Sequence, residues 1–162
     1  MNTRVLGIDP GFDRVGMAIL VQEDSKQTLL HSECIVTNKK DSHDVRLLTI
    51  GLRVAEVIEE WGPESLAIEK LFFNQNTTSA LKVAEARGVV IFQAAKAGLR
   101  VFEYGPQEIK IAVTGYGKAD KTSVANMVSK LVKVEKVGPK KLDDEIDAIA
   151  VGITHLATRQ GI

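Results

Sequence analysis

Residues 142–155 read LDDEIDAIAVGITH, with four carboxylates, Asp143, Asp144, Glu145 and Asp147, ahead of an apolar run. On a helix, Asp144 and Asp147 (i, i+3) share a face, and so do Asp143 and Asp147 (i, i+4). The helix dipole favours acids in a first turn, and Asp143 suits the N-cap position. That accounts for Asp143 and Glu145. It does not account for Asp147, which stands deeper, against Ala148, Ile149, Ala150 and Val151. Two further acids close apolar segments: Asp9 follows Val5, Leu6 and Ile8 in VLGIDPG, and Glu69 ends LAIE. Asp9 also suits a turn-capping role before Pro10-Gly11. A buried, unpaired charge costs several kcal/mol. Lys70 would point to the opposite strand face from Glu69, so a metal ion is the remaining common partner. An all-oxygen ligand set selects hard cations such as Mg²⁺ or Mn²⁺. Two such ions about 4 Å apart can activate water and stabilise a leaving oxygen in phosphodiester hydrolysis.

Other chemistries are poorly served. His31, His43 and His155 are scattered, Cys34 is the sole cysteine, and there is no P-loop or GxGxxG motif. His155 reads as a helix-end residue with no partner beside it.

The elements that must position the acids follow from periodicity and punctuation. Residues 3–9, 14–22 and 27–36 read as strands, the last two joined through a polar hairpin at 23–26. Residues 43–60 switch to helical spacing, with Val45, Leu48, Leu52, Ala55 and Ile58 recurring every three or four positions, up to Gly62-Pro63. A short buried strand spans 65–69. The cap-rich polar stretch 74–78 opens a helix of about 20 residues. Residues 99–104 read as a strand, Pro106 as the start of a short helix, 114–120 as a glycine loop, and 121–133 as a helix before the acidic one. The order β-β-β-α-β-α-β-α-α-α predicts one α/β domain, a mixed five-stranded sheet with helices on both faces. In such sheets, sites gather at strand C-terminal ends, where Asp9 and Glu69 stand.

The chain has 162 residues with 21 basic and 21 acidic side chains. The zero net charge conceals a basic segment: residues 96–141 hold ten Lys or Arg against four Asp or Glu. Such a segment beside an acidic cluster suits a polyanion held next to a metal site. No apolar run approaches the roughly 18 residues of a membrane span. The N-terminus lacks a signal-peptide pattern, and a lone cysteine precludes an intramolecular disulfide; both lead to an expectation of a cytoplasmic protein.

Taken in order, GIDPGFDRVGMAIL, the IEKLFF block, ALKVAEARGVV and DxxDAIAVGITH resemble the RuvC family of Holliday-junction resolvases, from about residue 3 to residue 157. The resemblance implies an RNase H-like fold, a homodimer, and Mg²⁺-dependent symmetrical nicking of four-way junction DNA that leaves 5′-phosphate and 3′-hydroxyl ends. It implies two Mg²⁺ per subunit, with Mn²⁺ as a substitute, and cooperation with the branch-migration complex RuvAB. By motif position the catalytic, metal-holding acids are Asp9, Glu69, Asp144 and Asp147, with Asp143 adjacent to the third. The aromatic that stacks on junction bases falls on Phe72, with Phe73 beside it. Basic junction contacts fall on Lys110 and Lys121, with Lys118 in the glycine loop before Lys121. The helix over 77–97, rich in small residues, gains a second role in the dimer interface. The alternatives are an RNase H-like nuclease acting on RNA or another branched substrate, and a junction-binding protein without catalysis. The presence of all four acids disfavours the latter.

Overall fold

The computed structural model describes residues 2–72, 77–134 and 143–159. Three strands form an antiparallel meander: β1 (Thr3–Asp9), β2 (Arg14–Glu23) and β3 (Lys26–Val36). The two-residue turn between β2 and β3 places Asp24 at a left-handed φ of 54°, as tight hairpins require. Next comes α1 (His43–Trp61), stopped by Gly62, whose N–H donates to the Ile58 carbonyl. The chain then alternates through β4 (Ser65–Glu69), α2 (Thr77–Lys96), β5 (Arg100–Tyr104), α3 (Pro106–Thr114), α4 (Lys121–Leu131), β6 (Val132–Val134) and α5 (Asp143–Arg159). β4 runs parallel to β1, and β5 runs parallel to β4, giving the order β5-β4-β1-β2-β3-β6.

Alternation along the strands divides the apolar residues between two faces. Leu6, Ile8, Met17, Ile19, Leu66 and Ile68 pack with Ile50, Val54 and Val57 of α1 and with Ala86, Val90 and Ala94 of α2. On the other face, Val5, Ala18, Leu20 and Ala67 pack with Ile109 and Val113 of α3, Val128 of α4 and the apolar half of α5. Helices therefore cover both faces, as expected.

Among the described residues the sheet has six strands rather than five. The helix expected over 121–133 ends at Leu131, and Val132–Val134 pairs in parallel with residues 27–29 of β3. Three residues are too few to show a period of two, although β-branched valines around a lysine suit a short edge strand. The apolar stripe in α1 also differs. Val45, Leu48 and Leu52 are exposed, and of the five periodic residues only Ile58 is buried. The face turned to the sheet carries Ile50, Val54 and Val57 instead. Two overlapping apolar stripes give the same periodicity, and only the sheet's position chooses between them.

α5 lies closer to β1 and β2 than a side chain would allow. A Cβ at Gly7 would stand 2.4 Å from the Ala148 carbonyl oxygen, and one at Gly16 would stand 1.9 Å from that of Asp144. A Cβ at Gly152 would meet Leu20 at 2.5 Å. Gly16→Ala is therefore expected to lift the first turn of α5 off the sheet and destabilise the protein by about 1–3 kcal/mol. Urea unfolding measures the loss.

Candidate active site

Strand parity places the two strand-end acids together. Val5, Gly7 and Asp9 alternate onto the α5 face of β1, as Ala67 and Glu69 do on β4. Ile8 pairs with Ile68 across the parallel ladder, so Asp9 and Glu69 end neighbouring strands. α5 crosses above them. Its residue Asp144 sits over Gly16, the cross-strand partner of Asp9, and Ala148 sits over Gly7 one turn later.

The electrostatics show the acids acting on one another. Burial pushes Asp9 up to about 8, reinforced by the charges of Asp147, Glu69 and Asp144. Burial also raises Glu69, with Asp147 adding to it, while Lys121 and Lys110 oppose the shift. Asp147 is raised by burial and by Asp144 and Asp143, against Lys121. Asp143 is exposed and lines a neighbouring hollow with Lys121, Thr122, Ala125, Asn126 and Asp147. At the first turn of α5, Asp144 rests over Gly16 and its charge reaches both Asp9 and Asp147, whereas the charge of Asp143 reaches Asp147. Asp143 is the first helical residue, and the preceding position lies outside the described residues.

A cleft of about 520 Å³ opens beside the acids. Glu69 and Asp147 line it together with Lys110, Lys121, Pro106, Ile109, Asp120 and Val124. Lys121 opens α4, where the Asp120 side chain caps by accepting from the Ser123 N–H at 2.7 Å. The Lys121 ammonium stands 3.9 Å from Asp147. Lys118 is exposed in the loop leading into α4. Phe72 is 63% exposed just past β4, near Gly105; Phe73 lies outside the described residues. Among the described residues, no three His, Cys, Asp or Glu side chains form a ready ion cage. The α5 acids turn instead to cations, Asp144 to Arg14 and Asp147 to Lys121.

Three supporting residues were not legible in the sequence. His155 is not at a helix end: α5 runs on to Arg159, and His155 is fully buried. Its Nε2 lies 3.0 Å from the Ser65 hydroxyl and its Nδ1 lies 2.9 Å from the Tyr104 hydroxyl. It thereby pins α5 to β4 and β5, two helical turns from Asp147. Burial drives its pKa down to about 4, so the ring is neutral, donating from one nitrogen and accepting at the other. Arg87 of α2 donates from Nε to the Glu69 carbonyl at 3.2 Å and pairs with Glu103 at 3.3 Å, bracing the end of β4 from behind. Arg14 shares the sheet face of Gly16 by parity, the one signal that could have found it.

Known proteins resemble this chain over most of its length. The family model for crossover junction endodeoxyribonuclease RuvC matches residues 5–155. A crossover junction endodeoxyribonuclease RuvC from Finegoldia magna is 42% identical over 153 residues, covering 94% of this chain and 92% of that one. The structure of Thermus thermophilus RuvC in complex with a Holliday junction substrate aligns with a TM-score of 0.89 at 35% identity, over 98% of this chain and 96% of that one. A yeast mitochondrial Holliday junction resolvase shares the fold, with a TM-score of 0.73 at 14% identity.

The neutral His155 makes stability depend on pH. Its folded value of about 4 lies below the ordinary 6.5. The unfolded chain therefore binds the proton first, and stability falls as pH drops from 6.5 to 4. The contribution is fully present above that window and is worth roughly 3 kcal/mol. His155→Gln removes this slope while lowering stability at neutral pH. Comparing denaturation midpoints of the two proteins between pH 7 and pH 4 isolates the effect from Asp9, Glu69 and Asp147, whose raised values act in the opposite direction.

Proposed function

Because the chain belongs to the RuvC family of crossover junction endodeoxyribonucleases, we propose that it resolves four-way DNA junctions by divalent-metal-dependent phosphodiester hydrolysis, nicking symmetrically as a homodimer. What supports this most is the convergence of Asp9, Glu69, Asp144 and Asp147 at one end of the sheet, beside a cleft that also holds Lys110 and Lys121.

The residues fit hard cations. Every donor is oxygen, and Asp9, Glu69 and Asp147 are all pushed toward their protonated forms by burial and by like charge. A divalent cation removes both penalties at once. Asp9 and Glu69 would hold it from rigid strand ends, with Asp144 and Asp147 closing from α5. When bound, a pair of Mg²⁺ or Mn²⁺ ions supplies the charge that activates water and stabilises the leaving oxygen. Family likeness adds that the cut would leave 5′-phosphate and 3′-hydroxyl ends. Lys110 and Lys121 flank the entrance, where a phosphate would meet them before it meets the acids, and Lys118 extends the basic rim. Phe72, exposed beside the cleft, would stack on an unpaired junction base, an interaction worth about 1–3 kcal/mol. The homodimer would use the outward face of α2, where Leu81 and Phe92 stand exposed; α1 beside it exposes Leu48 and Leu52. Family likeness extends the reading to cooperation with RuvAB in the cytoplasm; no helix among the described residues is long and apolar enough to cross a membrane.

The test is cleavage of an immobile four-way junction with and without Mg²⁺, run beside a structured RNA. Asp9→Asn, Glu69→Gln and Asp147→Asn are each expected to abolish cleavage while junction binding survives. Asp144→Asn should lose most activity at low Mg²⁺ and recover part of it at high Mg²⁺, whereas Asp143→Asn should cost little. Normal cleavage by Asp144→Asn alongside an inactive Asp143→Asn would shift the ligand to Asp143.

The lysines should act on binding instead. Lys110→Ala and Lys121→Ala are each expected to weaken junction affinity and to flatten the plot of log K against log salt by about one counterion's slope. Fluorescence anisotropy at several salt concentrations reads this out, and an unchanged slope in both variants would place the phosphate path elsewhere.

A further inference from the structure

The two α5 acids are paired with cations of different kinds. Lys121 reaches Asp147 from an 84%-exposed side chain at 3.9 Å, the loose geometry of a surface pair. Arg14 is the first residue of β2, anchored by pairing with Val36 of β3. It lies on the same face as Gly16, over which Asp144 rests, so its stem starts two residues from that carboxylate's seat. Its Nη2 pairs with Asp144 Oδ2. The Cys34 thiol lies 4.0 Å from the same oxygen. The Arg14 side chain is 44% exposed against 25% for Asp144, so it has more solvent to move into.

We propose that Arg14 is a displaceable counter-ion of Asp144: its guanidinium neutralises this carboxylate in the metal-free site, competes with a divalent cation for it, and moves out to solvent when the cation takes it. The proposal rests on the metal-dependent reading above. A monovalent guanidinium and a divalent cation repel each other at one carboxylate, so occupancy by one lowers affinity for the other. Arg14 thereby holds the Asp144 carboxylate in place before metal arrives, at the expense of metal affinity. Competition from such an exposed pair lowers apparent metal affinity by up to roughly fivefold.

Mn²⁺ binding to the full-length protein without DNA, followed by the electron paramagnetic resonance signal of free Mn²⁺, tests this in wild type, Arg14→Gln, Asp144→Asn and the double variant. Arg14→Gln is expected to tighten Mn²⁺ about two- to fivefold in the wild-type background and by less than about twofold in the Asp144→Asn background. Unchanged or weakened binding in Arg14→Gln overturns the proposal. Equal tightening in both backgrounds also overturns it, because Arg14 would then act only through its general field. Should Arg14→Gln fail to fold, Arg14→Lys, which keeps the charge but loses the planar fork, must bind Mn²⁺ more tightly than wild type; equal or weaker binding overturns the proposal. Asp9→Asn and Asp147→Asn separate the two readings. If both weaken Mn²⁺ while Arg14→Gln changes nothing, only the role of Arg14 falls; if neither does, the metal site itself falls.

Discussion

The backbone of α5 rests on β1 and β2 at a distance that only glycine permits. Gly7 lies beneath the Ala148 carbonyl, and Gly16 lies beneath that of Asp144. Any β-carbon at either position would push the helix outward. Asp144 and Asp147 would then move away from Asp9 and Glu69, which are fixed by the strand ladder. The same contact buries Ala148, Ala150, Val151 and Ile153 against Val5, Ala18, Leu20 and Ala67. Core packing and site geometry are thus one interaction. The two ends of α5 are held differently: the first turn by Gly16 and by the Ser32 hydroxyl donating to Glu145 at 3.0 Å, and the far end by His155 between Ser65 and Tyr104.

This arrangement stores electrostatic strain where the chemistry is proposed to occur. Three carboxylates are pushed up by burial and by each other, against the modest relief of Lys121 and Lys110. A protein selected for stability alone would not bury such a group. The cores on both sides of the sheet offset the penalty, and cations from three elements (Arg14, Lys110, Lys121) temper it.

The α1–α2 side of the sheet supports the same strand ends from behind. Arg46 of α1, 8% exposed, donates to the Thr37 hydroxyl, pairs with Asp13 and lies 3.9 Å over the Phe12 ring. The Thr37 hydroxyl in turn donates to the Phe12 carbonyl at 2.8 Å. This network fixes the turn that follows Asp9, while Arg87 of α2 fixes the end of β4 at Glu69. Helices with no residue in the cleft therefore hold the strand-end acids in place. Both helices present exposed leucines outward, so a partner seated on that face would press on the elements that brace the site.

Much of this was legible in the residues themselves. The strands ending in Asp9 and Glu69 and the i, i+3 pair on the acidic helix follow from local periodicity and turn chemistry, which are properties of neighbours in the chain; of the cap-rich stretch 74–78, residues 74–76 lie outside the described residues. Motif order added the family, and with it the four acids and the lysines. What stayed hidden was decided by contacts across large sequence separations. Whether α1 buries the stripe of Val45 and Leu48 or that of Ile50 and Val54 depends on where the sheet lies, because both stripes have helical spacing. A three-residue strand such as β6 exists only because β3 offers a free edge to pair with. His155 looked like an unpartnered helix-end histidine because Ser65 and Tyr104, which satisfy it, lie 90 and 51 residues away. Asp143 and Asp144 are equivalent by spacing; the fold separates them because only Asp144 rests over a glycine, where the missing β-carbon lets the helix, and the charge it carries, come down onto the sheet.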